Sequence, residues 1–173
     1  DPDVDRLAIV MENGEMFVEE YTLVAVADYI LRHTPGATVS NLSSSRALGD
    51  VTRSYGCEYH ASAVGEVNVV AKMKETGAVI GGEGNGGVIY PEAHYGRDAL
   101  VGVAIFLTLL AKSGKKVSEL KKEYPSYAIA KNKIELTPDI NVDAILCAMK
   151  ERYADEKITD MDGVKIDFQD SWV

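Results

Sequence analysis

Cysteine is scarce in this chain: only Cys57 and Cys147 occur, far apart and in unlike contexts. They offer no disulfide framework, zinc-ligand spacing or redox pair, so reduced thiols in a cytoplasmic protein are expected. Basic charge is also short. Eighteen Lys and Arg face 27 Asp and Glu for a net charge of −9, and residues 135–173 carry ten acids against four bases. Nucleic acid and anionic membranes are thereby excluded as partners, because counterion release needs a basic face. No apolar run reaches the roughly 20 residues that span a bilayer, and no signal-peptide pattern is visible. What is present is a 173-residue chain that is 46% hydrophobic, enough to bury one core and part of another. It starts at Asp1-Pro2-Asp3 without methionine and stops at Trp172-Val173, as expected of a piece of a longer protein.

Glycine, by contrast, is concentrated. Gly81-Gly82-Glu83-Gly84-Asn85-Gly86-Gly87 holds five glycines in seven residues. Such a run neither fills a core nor continues a helix. The short β-branched runs 78–80 and 88–90 flank it and read as strands. The glycines are therefore expected to form an exposed strand-to-strand connection presenting two functional side chains, Glu83 and Asn85. Replacing either is expected to leave folding intact. A carboxylate beside an amide that donates and accepts suits a polyhydroxylated ligand such as a sugar; a hairpin whose polar residues merely face water is the plainer alternative.

At the other end, Asp1, Asp3 and Asp5 stand at alternate positions before Arg6. Three carboxylates so spaced make an oxygen cluster for a hard divalent cation, and Arg6 adds a planar cation suited to phosphate. An EF-hand is ruled out, since it needs glycine where Arg6 stands and a helix after the loop, whereas residues 7–11 read as a buried strand. A dehalogenase-type Asp-x-Asp nucleophile would need a strand before the motif, and this sequence shows none; a frayed acidic terminus stays open.

Between these motifs the periodicities alternate. A helix is expected from Glu19 to about Arg32, a strand over 37–42, and a helix capped by Ser43-Ser44-Ser45. The serine cluster is read as capping rather than as a phosphate site. A third strand, 58–61, leads through Ser62 and Gly65 into a helix over 67–76. His60, Ser62 and Gly65 at that junction make a candidate phosphate or sugar-hydroxyl site, with His60 equally readable as an interior histidine. The longest apolar helix is expected over 97–112. Beyond an extended segment at 127–136, a helix over 141–153 and a hairpin at 157–168 read as the opening of a second module.

Taken together, Asp1-Pro2-Asp3-Val4-Asp5-Arg6, Ser62-Ala63-Val64-Gly65 and Gly82-Glu83-Gly84-Asn85-Gly86-Gly87 resemble the α-D-phosphohexomutase superfamily of phosphoglucomutases, phosphomannomutases and phosphoglucosamine mutases. The resemblance covers nearly the whole chain. It implies the third domain over residues 1–136, with the metal loop 1–6 from the end of the second, and an incomplete start of the fourth over 137–173. The implied fold is α/β, a three-layer α/β/α sandwich on a mixed sheet followed by the start of a small α+β domain. The strand after the glycine loop is expected to run antiparallel to its neighbour. By the same resemblance Asp1, Asp3 and Asp5 ligate Mg²⁺, and Arg6 lies beside a phosphorylated serine. Glu83 and Asn85 contact the sugar of a hexose phosphate, and His60, Ser62 and Gly65 line the cleft. The family moves phosphate between C1 and C6 through a bisphosphorylated sugar.

The departures are specific. Pro2 and Val4 stand where relatives more often have glycine, Ser62-Ala63 replaces a Thr-Pro pair, Ala61 a common arginine, and Asn85 a frequent serine. The nucleophilic serine motif of the first domain and the phosphate-gripping loop of the fourth are absent, so the remaining domains are expected partners. Alone, this piece is expected to be inactive. A non-catalytic sugar-phosphate-binding module and a metal-dependent phosphatase are the alternatives.

Overall fold

The computed structural model describes residues 2–137 and 140–173. The chain divides into two compact units, Asp1–Ala128 and Ile129–Val173, so the first ends ahead of the boundary expected at residue 136.

The first unit is built on a four-stranded sheet. Its strands are β1 (Thr38–Asn41), β2 (Tyr59–Ser62), β3 (Ile80–Glu83) and β4 (Gly87–Ile89), in the order β2-β1-β3-β4. β1 pairs parallel with both β2 and β3, while β4 runs antiparallel to β3. The mixed sheet is as expected. Helices α1 (Glu19–His33), α2 (Ala47–Ser54) and α4 (Ala99–Ser113) form one layer, and α3 (Glu66–Thr76) covers the opposite face. Side-chain alternation along the strands divides the core between these layers. Ile80 and Val88 join Phe17, Leu23, Leu48 and Phe106 under α1, whereas Val39 and Ile89 meet Val69 and Met73 of α3. Fully burying a Leu or Phe of this kind contributes about 1.5–3 kcal/mol.

The ends of α3 and α4 follow their sequence signals, whereas α2 has Arg46 at its N-cap with no side-chain cap bond, not the serine cap expected. Asp98 caps α4 by accepting from the Leu100 and Val101 amides at 2.8 and 3.0 Å. Gly77 and Gly114 close α3 and α4 in the left-handed region, where a Cβ is penalised. A short helix, α5 (Val117–Lys121), follows.

Two expectations need correction. Residues 7–11 do not form a buried sheet strand. They fold back on the next segment through Met11 N to Glu15 O (2.8 Å) and Phe17 N to Ile9 O (2.9 Å), and touch the glycine turn through Leu7 N to Gly86 O (3.0 Å). Alternate side chains face water, so one face alone is buried. Gly81, Gly82 and Glu83 also do not lie in a loop. They continue β3, because ladder hydrogen bonds come from the backbone and need no side chain.

In the second unit, α6 (Val142–Arg152) is capped by Asn141, whose Oδ1 accepts from Ala144 N at 3.0 Å. Strands β5 (Lys157–Thr159) and β6 (Lys165–Asp167) form the expected hairpin. Tyr153 packs edge-on against Phe168 at 5.7 Å.

Candidate functional site

The three parallel strands end on Asn41, Ser62 and Glu83, side by side in the register. The chain leaves β1 for one neighbour and reaches the other by crossing over, with α2 and α3 on opposite faces. Glu83 thus lies at the switch point of the sheet, where α/β folds collect their ligands.

Glu83 is buried, with 4% of its surface exposed, against the expectation of an exposed connection. Burying a carboxylate is costly unless its oxygens are bonded, and here both are. Oε1 accepts from Asn41 Nδ2 at 2.7 Å and from the Gly65 amide at 3.3 Å; Oε2 accepts from Arg97 Nη1 at 2.6 Å and from Asn85 Nδ2 at 3.4 Å. Gly65 opens α3, so the helix N-terminus that was a candidate for phosphate is turned on Glu83.

Arg97 is the centre of charge and was not singled out in the sequence. Its guanidinium meets Asp5 Oδ2 at 2.5 Å through Nη2, Glu66 Oε2 at 3.2 Å through Nε, and Glu83 through Nη1. Its backbone amide also donates to Glu66 Oε1 at 3.2 Å. A planar fork with five donors suits three carboxylates in this way, which an ammonium does not.

Close backbone approach accounts for the glycines. A Cβ on Gly86, where φ is +91°, would fall 2.5 Å from Leu7 O, and one on Gly87 would fall 2.5 Å from Arg97 Cδ. On Gly84 it would run into the Glu20 carboxylate, which also accepts from the Ser45 amide at 2.8 Å. Ser44 Oγ donates to Asn41 Oδ1 at 2.8 Å and accepts from the Gly84 amide at 2.9 Å. The serine cluster braces the glycine turn.

The sequence-nominated residues separate into two groups. Asp5, Gly65, Glu83 and Asn85 come together around Arg97, and Asn85 is exposed, with Oδ1 accepting from the Gly87 amide at 3.1 Å. Ser62 lies beside Asn41 but is buried and donates to Ala63 O at 3.0 Å. His60 sits two residues back on β2, where its Nε2 is 3.5 Å from Glu58 Oε2. Arg6 is exposed, with Nε 3.5 Å from Asp5 Oδ1. Asp3 is exposed in a turn, and Asp1 lies outside the described residues. Among the described residues no three His, Cys, Asp or Glu side chains are grouped as a metal site. Asp5 Oδ1 nevertheless suits a cation: it is buried and accepts no hydrogen bond, leaving an oxygen lone pair of the kind hard divalent ions take up.

Beside this centre, Asp98 joins the α4 cap to His94. The hydrogen bond from His94 Nε2 at 2.9 Å holds the Asp98 carboxyl below its usual range, with the Val101 amide next in effect. Tyr90, just past the end of β4, is pushed up to about 12 by burial and by Glu92.

The family described as phosphoglucomutase/phosphomannomutase, alpha/beta/alpha domain III, matches residues 19–127. This chain belongs to that family. A phosphoglucomutase/phosphomannomutase of Thermococcus kodakarensis is 36% identical over 174 residues, all of this chain and 38% of the relative. A probable phosphoglucosamine mutase of Methanopyrus kandleri is 33% identical over 175 residues, all of this chain and 39% of the relative. The crystal structure of a phosphoglucomutase/phosphomannomutase family protein from Burkholderia thailandensis superposes with a TM-score of 0.78 at 26% identity, over 98% of this chain and 37% of that one. A putative phosphomannomutase from Thermus thermophilus superposes at 0.75 with 25% identity, over 100% and 38%. The chain thus spans under two fifths of the relatives named here. Among the described residues, no helix is long and apolar enough to cross a membrane.

Proposed function

We propose that these residues form the third domain and the start of the fourth of a cytoplasmic phosphohexomutase, which interconverts hexose 1-phosphate and hexose 6-phosphate through a bisphosphorylated sugar and an active-site phosphoserine. The observation that supports this most is the meeting of Asp5, Glu83 and Asn85 around Arg97 at the carboxyl ends of the parallel strands.

Asn85 and Glu83 are the sugar-facing pair. The 3.4 Å contact from Asn85 Nδ2 is the longest that Glu83 accepts, so it is the bond a sugar hydroxyl replaces most cheaply. Asn85 then keeps an exposed amide for a second hydroxyl. Asp3 and Asp5, with Asp1, would hold Mg²⁺. When bound, Mg²⁺ supplies Lewis-acid stabilisation of charge on a transferring phosphoryl group. Arg6, exposed next to Asp5, offers a planar cation to the phosphoserine. Ser62, Gly65 and His60 would line the cleft, Ser62 and Gly65 through their backbone. Family membership favours a mutase over a dehalogenase-type phosphatase, and three carboxylates converging on one arginine exceed what a plain sugar-phosphate-binding module requires.

The test uses the complete polypeptide carrying this chain, assayed with glucose, mannose and glucosamine 1-phosphates and Mg²⁺. Turnover of at least one is expected, with the 173-residue chain alone inactive because transition-state stabilisation needs the nucleophile too. Turnover by the isolated chain, or none by the complete polypeptide, overturns the reading.

A further inference from the structure

We infer that Arg97 is a positioning residue that couples the acidic loop to the sugar-facing turn, so that the two behave as one unit. The inference rests on the site reading above only for its consequence in catalysis.

The geometry carries it. One guanidinium divides its three nitrogens among carboxylates from three separate segments: Asp5 of the N-terminal loop, Glu66 of the first turn of α3, and Glu83 at the end of β3. Arg97 is only 21% exposed, so these pairs are weakly screened and their geometry is held. The fork is planar and rigid, so rotating it to follow one carboxylate moves the donors away from the other two. The stem is fixed as well. Gly87 packs directly on Arg97 Cδ, leaving no room for a side chain, and the next residue, Asp98, caps α4. Three carboxylates share this one guanidinium, and a second, that of Arg6, stands 3.5 Å from Asp5 Oδ1. A change of charge at Asp5 must therefore redistribute the hold on Glu83, and a change at Glu83 the hold on Asp5; such coupling is reciprocal.

Arg97 also selects which oxygen of Asp5 is available. It occupies Oδ2 and leaves Oδ1 without a hydrogen bond, with Arg6 Nε 3.5 Å away, so Asp5 meets a cation through that one oxygen. In the mutase, cation requirement and preference among hexose phosphates then depend on the same residue. A second route runs between the loops, the backbone bond from Leu7 N to Gly86 O at 3.0 Å, and the experiment must separate the two.

Amide NMR of the 173-residue chain, without metal or sugar, does so. Asp5→Asn is expected to shift the resonances of Gly84, Asn85 and Gly86, and Glu83→Gln those of Asp5, Arg6 and Leu7. Arg97→Met is expected to abolish both responses. Arg97→Lys, which keeps the charge and loses the fork, is expected to weaken them. Responses that persist in Arg97→Met show the backbone route and overturn the inference. If Arg97→Met does not fold, a folded Arg97→Lys that transmits in full overturns it equally. In the complete enzyme, Arg97→Lys is expected to move half-activating Mg²⁺ and the ratio of kcat/KM between two hexose 1-phosphates together, each by about fivefold or more. A residue that only braces the fold lowers Tm and leaves both unchanged. Failure of the site reading shows separately, as Glu83→Gln leaving sugar preference untouched.

Discussion

Asn41 donates a 2.7 Å hydrogen bond from Nδ2 to Glu83 Oε1, joining the last residues of two adjacent parallel strands. The bond is buried, and Arg97 holds the other oxygen of the same carboxylate at 2.6 Å. Glu83→Ala therefore strands the Asn41 amide and takes from Arg97 one of its three carboxylates; removing one partner of a buried pair costs about 3–5 kcal/mol, and with Asp5 and Glu66 still holding the guanidinium the low end is expected. Glu83→Gln keeps one accepting oxygen and is expected to lose less. Urea unfolding of the 173-residue chain measures both. Midpoints within error of wild type would mean that Glu83 is solvated in solution.

Gly86 and Gly14 separate backbone strain from steric conflict. Both have positive φ, +91° and +84°, but a Cβ meets Leu7 O at 2.5 Å in the first and nothing within 4 Å in the second. Gly14→Ala is expected to cost only the left-handed penalty of about 1–2 kcal/mol. Gly86→Ala adds a collision with backbone and the loss of the Leu7–Gly86 bond, worth roughly a further 1 kcal/mol or more. Equal losses by chemical denaturation would show that the acidic loop moves aside freely.

What the sequence disclosed was what is local. Helical spacing in α1 and α4 and the glycine stops of α3 and α4 each depend on neighbours within a few residues. The glycine run was misread at one end because glycine usually marks a loop, whereas Gly81 and Gly82 sit in β3 to admit Met73 and Gly87. Residues 7–11 had strand composition, but their backbone bonds run to the return segment and the glycine turn rather than to a strand of the sheet. Arg97 was invisible for another reason. Its partners at 5, 66 and 83 come from three segments, and no spacing rule marks an arginine that chain reversal surrounds with carboxylates. Asp5, Glu83 and Asn85 were legible as chemistry; Arg97, which joins the first two, was not.

Tyr124 predicts an alkaline limit to stability. Its hydroxyl donates to Asp28 Oδ2 at 3.1 Å, and Tyr55 donates to Oδ1 at 2.5 Å. Burial, then the Asp28 charge, pushes the Tyr124 hydroxyl well above its usual range, and Tyr55 moves the same way through burial and the Asp28 hydrogen bond. A folded-state value raised above the unfolded one means the stability is intact below about pH 10 and is lost as pH rises beyond it. Urea midpoints should hold from pH 7 to 9 and fall above pH 10. Tyr124→Phe should cost about 1 kcal/mol at neutral pH and shallow the alkaline fall. An unchanged slope would take Tyr124 out of the account.

Val4 is a β-branched residue in the left-handed region, with φ of +56°. The strain is retained because the loop is tied on both sides: Val4 O accepts the Ala99 amide at 3.1 Å, and Asp5 pairs with Arg97. Replacement by glycine relieves about 1–2 kcal/mol of backbone strain and costs about 0.5–1 kcal/mol in unfolded-state entropy. With 48% of Val4 exposed, little apolar burial is lost. Relief therefore outweighs the cost, and Val4→Gly is expected to raise stability by about 0.5–1 kcal/mol. Val4→Ala keeps the Cβ that causes most of the strain, so it should gain less than Val4→Gly. Guanidinium unfolding of the three chains ranks them. If Val4→Gly falls below both, the loop does not hold a left-handed residue in solution, and the anchoring of Asp5 beside Arg97 must be relaxed accordingly.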